Sequence, residues 1–327
     1  MGFKQSHFVA RLITLLPICI AANVHAEQLF TDDSNYCQNQ RTLKSQDNNL
    51  RRQLDADNPL PDAANNRKIV SIELEQLNVF NTELEEENNF LFRFANRAHM
   101  TTEPNVIHSV LLFEEGDVYN PRKLLESERL LRKQGYLYDA RINAKLDCDG
   151  NVHVKVITRD LWTLLPEISF SRSGGENESS IGFRESNFLG WGKRVSFSRT
   201  RDADRTGYLF VYDDPHIFSS RYQGRFEYSD NDDGKRHYLD VSYPFFSIDT
   251  PYSYGVTSYS DQRRESLYYR GDVVNEFEQK TVLNRAYFGH SSQLGNSWTQ
   301  RIKLGIENRE ETFKETPFTR FPIAEDR

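Results

Sequence analysis

A chain of 327 residues, 27% of them charged and with a mean hydropathy of −0.70, has room for two domains and is too polar for a helical membrane protein. Its formal net charge of −7, with Lys and Arg spread among acids rather than clustered, excludes a nucleic-acid-binding surface. Beyond Ala26 no run of about 18 apolar residues offers a spanning helix, whereas a β-barrel stays open because only alternate residues of its strands face lipid.

Residues 1–26 carry Lys4, His7 and Arg11, then LITLLPICIAA, then Val24-His25-Ala26, the basic, apolar and small-residue regions of a signal peptide. Cys19 follows Ile18 rather than a small residue, which argues against a lipid anchor and leaves Cys37 and Cys148 in the mature chain. Whether these two pair in an oxidising compartment is left open by the sequence. Residues 27–67 are a polar linker rich in Asn, Asp and Gln, with little to bury.

From Lys68 the pattern sharpens. KIVSIELEQLNVF reads as a strand through Ile69, Ile72, Leu74 and Leu77. TELEEENNFLFRFANRAH reads as a helix whose Phe90, Leu91 and Phe94 share one side and are expected in the core. A helix from about Pro104 to Phe113 presents Val106, Val110 and Phe113, and Gly116 marks its stop. Asn120 and Pro121 open the next helix, PRKLLESERLLRKQ, with Leu124, Leu130 and Leu131 on its buried face. YLYDARINAKL and NVHVKVITRD then flank Asp149-Gly150, a strong hairpin signal.

Strand, helices, strand, strand make an α+β module. Its segment LLFEEGDVYNPRKLLESERLLRKQGYLYDARI, with Gly-Asp-x-Tyr before the helix and Gly-Tyr-Leu before the strand, resembles a POTRA domain of the bacterial outer-membrane assembly and transport superfamily (BamA/TamA-like, bacterial surface antigen family). The stretch from about Phe80 to Glu103 is an insertion relative to the compact POTRA pattern. The expected division is a POTRA-like domain over residues 68–160 and an outer-membrane β-barrel over residues 161–327.

From Leu164 onward alternation gives about ten strand candidates separated by Gly, Asp and Asn turns. SLYYRGDVV counts as one of them, and in the last, Trp298, Ile302, Leu304 and Ile306 face one way while Arg301, Lys303 and Glu307 face the other. Tyr208, Tyr212, Tyr222, Tyr228, Tyr243, Phe245, Tyr252 and Tyr259 lie near strand ends, where interfacial girdles sit. A soluble β-sandwich is the competing fold. GFRESNFLGWG, directly after the POTRA-like part, resembles the early barrel hairpin of the same superfamily. Two departures stand out: family barrels are larger, and their Arg-Gly-Phe/Tyr loop motif is here Arg270-Gly271-Asp272. The fold class is therefore an α+β POTRA-like periplasmic domain followed by an antiparallel transmembrane β-barrel, read as the N-terminal part of a longer protein.

No catalytic, cofactor-binding or metal-ligating constellation is found: the histidines are scattered, and the acids at Asp213-Asp214 and 230–233 read as turn chemistry. The resemblance implies an outer-membrane protein that inserts or translocates client proteins without enzymatic chemistry. Its partners would be outer-membrane lipids, unfolded or secreted clients and accessory periplasmic proteins. The expected client edge is Asp139, Ala140, Arg141, Ile142, Asn143, Ala144 and Lys145, open to β-augmentation and blocked by Pro at Ala140 or Asn143. The expected seam and first hairpin comprise Leu165, Glu167, Ser169, Gly182, Glu185, Asn187, Gly190 and Gly192. A pore or surface antigen without insertase activity and a soluble periplasmic β-rich binding protein are the alternatives.

Overall fold

The computed structural model describes residues 7–13, 60–61, 64–173, 176–202, 205–294 and 298–320. The chain divides into two compact units, Pro17–Trp162 and Thr163–Arg327, the latter with Met1–Leu16. The elements up to the division are β1 (His7–Ile13), β2 (Ile69–Leu77), α1 (Phe90–Ala98), α2 (Pro104–Val110), α3 (Pro121–Arg132), β3 (Leu137–Leu146) and β4 (Val152–Asp160). After it come β5 (Leu164–Ser173), β6 (Glu176–Glu185), β7 (Arg194–Arg201), β8 (Thr206–Asp214), β9 (Gln223–Asn231), β10 (Gly234–Tyr243), β11 (Tyr252–Tyr269), β12 (Asp272–Leu294) and β13 (Trp298–Glu315).

In the first unit the sheet order is β2-β4-β3, with β2 parallel and β3 antiparallel to the central strand. The centre belongs to β4 because Val152, Val154 and Val156 alternate inward and are essentially fully buried. Two helices close that face. Ile107 and Val110 of α2 and Leu124, Leu130 and Leu131 of α3 join Ile142 and the β4 valines in one core, against which Leu60 and fully buried Ala64 also pack. α3 starts where the sequence dictates: Asn120 Oδ1 accepts the Arg122 and Lys123 amides at 3.0 and 3.4 Å, and Pro121 fills the first turn.

One expectation fails in α1. Phe90, Leu91 and Phe94 are 72%, 69% and 59% exposed rather than in the core. The helix docks by its other side, where Phe92 stacks on Phe80 at 4.1 Å and Asn96 bonds both the amide and the carbonyl of Phe80. Periodicity identified a helix but not which side meets the domain, because an inserted helix packs on what precedes it rather than on the sheet.

The second unit is one antiparallel sheet in the order β1-β13-β12-β11-β10-β9-β8-β7-β6-β5. Its nine strands from β5 onward, rather than ten, follow from the Arg270-Gly271 pair. SLYYRGDVV is not a strand but the tip of a long hairpin: Arg270 and Gly271 have φ of 53° and 90°, and Tyr269 faces Asp272 across a two-residue turn. The sheet is open, with β5 at one margin and β1 at the other. Of the expected leader, the described residues His7–Ile13 run antiparallel to β13. An unpaired edge accepts any extended apolar segment. The turn signals at Gly174-Gly175, 203–204 and Gly295-Asn296 lie outside the described residues, as does Cys37; Cys148 is an exposed free thiol.

The strand registers align a single apolar face across all nine strands. Ile168, Ile181, Phe197, Phe210, Phe226, Leu239, Val256, Ala286 and Ile306 lie on it, each following from the pairing with its neighbour. Ile168, Val256, Leu304 and Ile306 on this face are 65%, 57%, 55% and 52% exposed, and among the described residues no second sheet packs on them. A sandwich would bury this face; a barrel turns it to lipid. The opposite face carries ion pairs that cross strands: Glu167–Arg184, Arg194–Asp213, Asp213–Arg225, Glu227–Arg236 and Arg285–Glu307. Tyr222, Tyr243 and Tyr254 cluster at the strand ends, with centroids 5.4 to 6.1 Å apart, in the manner of an interfacial girdle. Two aromatics expected in that girdle are on the polar face instead. Tyr259 sits opposite Tyr238, and Phe245 lies under Arg301 and over Gly289.

Candidate functional site

β3 is a margin strand, so one row of its backbone groups faces away from β4. That row belongs to Ala140, Ile142 and Ala144, because the Ala140 carbonyl and the Ile142 amide bond side chains on the far side from β4. Arg141, Asn143 and Lys145 point their backbone groups into the sheet, opposite Ile157, Lys155 and His153. The seven expected edge residues thus split in function: three hold the outward row and three hold the domain together. Asp139 stands at a register irregularity, where its Oδ1 accepts the Ala140 amide at 2.7 Å. Pro at Asn143 would break the β3–β4 ladder rather than an incoming strand.

Two α3 residues that the sequence did not single out reach this row. Glu128 Oε2 accepts the Ile142 amide at 2.8 Å, and Arg132 Nε donates to the Ala140 carbonyl at 2.9 Å. Glu128 is also paired with Arg132 at 2.9 Å and lies 3.5 Å from Arg141. The signal was present as a Glu at a helix position adjoining Leu124 and Leu131, where a carboxylate is retained only with partners. The opposite margin is covered by the segment before α3: the Ile69 amide donates to the Asp117 carbonyl and the Ile72 amide to the Glu115 side chain at Oε1, so β2 offers less free edge.

At the end of β4 a buried cluster fixes the insertion. Asp160 Oδ2 accepts the Thr102 amide at 2.7 Å and lies 2.8 Å from His99 Nε2, while Oδ1 accepts Thr102 Oγ1 at 3.0 Å. Burial, and next the charge of Asp160, push the Tyr136 phenol well above its ordinary pKa.

The expected seam residues fall into two groups. Leu165, Glu167, Ser169 and Gly182 belong to the β5–β6 hairpin, with Glu167 opposite Gly182 and Ser169 opposite Ser180. β5 pairs only with β6 among the described strands, so its outer edge is free. Gly182 has a steric reason: a Cβ there would come within 2.5 Å of the Phe197 carbonyl oxygen. Glu185, Asn187, Gly190 and Gly192 form one tight turn, in which Glu185 Oε1 accepts the Asn187 amide at 2.7 Å and Asn187 Oδ1 accepts the Gly192 amide at 2.8 Å. The bonds Phe188 N to Lys193 O, Gly190 N to Asn187 O and Trp191 N to Phe188 O recur as Ile217 N to Tyr222 O, Ser219 N to His216 O and Ser220 N to Ile217 O. The turn therefore repeats at this end of the sheet, and its residues are turn chemistry first. Asp213, Asp214 and Asp233 likewise serve ion pairs with Arg194, Lys193 and Arg205.

Residues 93–159 match the POTRA family, described as surface antigen variable number repeat. No curated protein matches the chain. Among solved structures, the chain is similar to BamA from Haemophilus ducreyi lacking POTRA domains 1-3, at 12% identity and a TM-score of 0.36, covering 77% of this chain and 57% of that one. It is similar to CdiB from Acinetobacter baumannii at 14% identity and a TM-score of 0.42, covering 88% of this chain and 72% of that one. The chain thus spans 57% of the length of that BamA structure. The POTRA match carries the assignment of the first unit, and the single lipid-type face of the second carries its barrel class.

Proposed function

We propose that this chain, which matches the POTRA family over residues 93–159 and follows that segment with one antiparallel sheet, belongs to the POTRA-plus-barrel outer-membrane superfamily and inserts or translocates other proteins at the bacterial outer membrane. In this reading the POTRA domain stands in the periplasm and receives a client segment as an added strand on β3. The barrel strands, with β5 at one margin, provide the membrane path. Chemistry at a catalytic residue has no part in it, and outer-membrane lipids, client chains and accessory periplasmic proteins are its partners.

The observation that carries the reading is the outward row of Ala140, Ile142 and Ala144 on a margin strand of the POTRA sheet. Main-chain hydrogen bonds at such a row give affinity without demanding a particular client sequence. Ala144 is the position to test, because alternation turns its amide away from β4. Ala144→Pro removes that donor and leaves the β3–β4 ladder intact. Cells carrying it should hold normal amounts of heat-modifiable barrel in the membrane fraction and lose client export or assembly. Normal client handling by Ala144→Pro would refute strand addition at β3.

A further inference from the structure

The geometry points to a latch: we propose that Glu128 and Arg132 close part of the β3 edge in the resting domain, and that a client strand adds by displacing them. This rests on the strand-addition reading and concerns its regulation.

The two side chains occupy the places a fourth strand would take. Glu128 Oε2 stands where the carbonyl of an incoming strand would meet the Ile142 amide, at 2.8 Å. Arg132 Nε stands where its amide would meet the Ala140 carbonyl, at 2.9 Å. They lie four residues apart on α3 and so project from one face of it, side by side along the edge. Arg132 also bonds Asp139 Oδ1 at 2.8 Å, and that same oxygen accepts the Ala140 amide, so both backbone groups of Ala140 are engaged. Among the described residues no side chain caps Ala144 in this way.

The latch is built to open at low cost. When Ile142 changes partner, the Glu128 carboxylate still has Arg141 at 3.5 Å, so no buried charge is orphaned. The Arg132 side chain is 39% exposed, and its guanidinium can turn to water. A client supplies the lost bonds in kind, one backbone carbonyl and one backbone amide. Until it does, the capped edge is protected from indiscriminate pairing, the hazard that any margin strand carries.

The test uses the full chain folded in detergent and, as probe, a labelled peptide with the sequence of β10, GKRHYLDVSY, whose polar and apolar residues alternate. Arg132→Gln removes one cap at a partly exposed site, and Glu128→Gln weakens the other while keeping its shape. Each variant should bind the peptide about five-fold more tightly than the parent chain, the worth of one net hydrogen bond. Amide exchange should show the added protection within residues 137–146, and Ala144→Pro should abolish it. Unchanged or weaker binding by Arg132→Gln, with Ala144→Pro still abolishing protection, overturns the latch and leaves strand addition standing. Absence of protection at 137–146 in the parent and in both variants overturns strand addition and the latch with it. Should Glu128→Gln fail to fold, Arg132→Gln alone decides.

Discussion

Single carboxylates set the order of the POTRA unit, and each acts through the backbone groups it accepts. Asp160 is fully buried and takes three donors from Thr102 and His99. Asp160→Ala would leave the buried Thr102 amide and hydroxyl without their acceptor, and the loss should be about 2–4 kcal/mol of domain stability. It would be read as faster amide exchange along β4, and unchanged exchange there would refute the role. Asp147 acts at the surface: its bond from the Asn151 amide, followed by those from the Asn151 side chain, His153 and Asp149, holds its carboxyl at about 2 against an ordinary 3.8. The folded value lies below the unfolded one, so the turn's stabilisation is complete above pH 3.8 and is lost as pH falls through about 2. Following the Asn151 amide resonance against pH should give a midpoint near 2; a midpoint at the ordinary value would count against these bonds. The turn at Asp149-Gly150 was legible in the sequence, but the roles of Asp147, Asp160 and Glu128 were not, since a sequence does not say which acids meet which backbone amides.

At the scale of the element, alternation and turn residues located most strands, and they failed where a turn was disguised. Arg270-Gly271 sits between β-forming residues and reads as strand, yet both residues take positive φ and join β11 to β12. Nothing lies within 4 Å of a Cβ added at Gly271, so Gly271→Val should be penalised by backbone strain alone, about 1–2 kcal/mol. Gly271→Asn, which tolerates that conformation, should cost much less. Urea unfolding of the two variants separates the cases, and equal midpoints would refute the turn assignment. α1 fails differently. Its period was right and its buried side wrong, because the residues it packs on, Phe80 above all, are chosen by the path of the insertion.

For the molecule as a whole, the decisive property is that nine strands share one apolar face while the other carries paired charges. Ile306→Arg places a charge on the lipid side and should cost about 2–4 kcal/mol near the bilayer middle. Glu307→Gln, one residue along and on the polar face opposite Arg285, should be nearly silent in the heat-modifiable fraction. Equal loss in both would remove the lipid face from the account.

The sequence by itself determined the two-part organisation, the POTRA resemblance, most strands and the polarity of their two faces, because these depend on period, composition and local turn chemistry. Tertiary structure alone decided which backbone row of β3 faces outward, that Glu128 and Arg132 cover it, and which side of α1 is buried. These are pairings between elements distant in the chain, and a one-residue change of register would reverse every one of them.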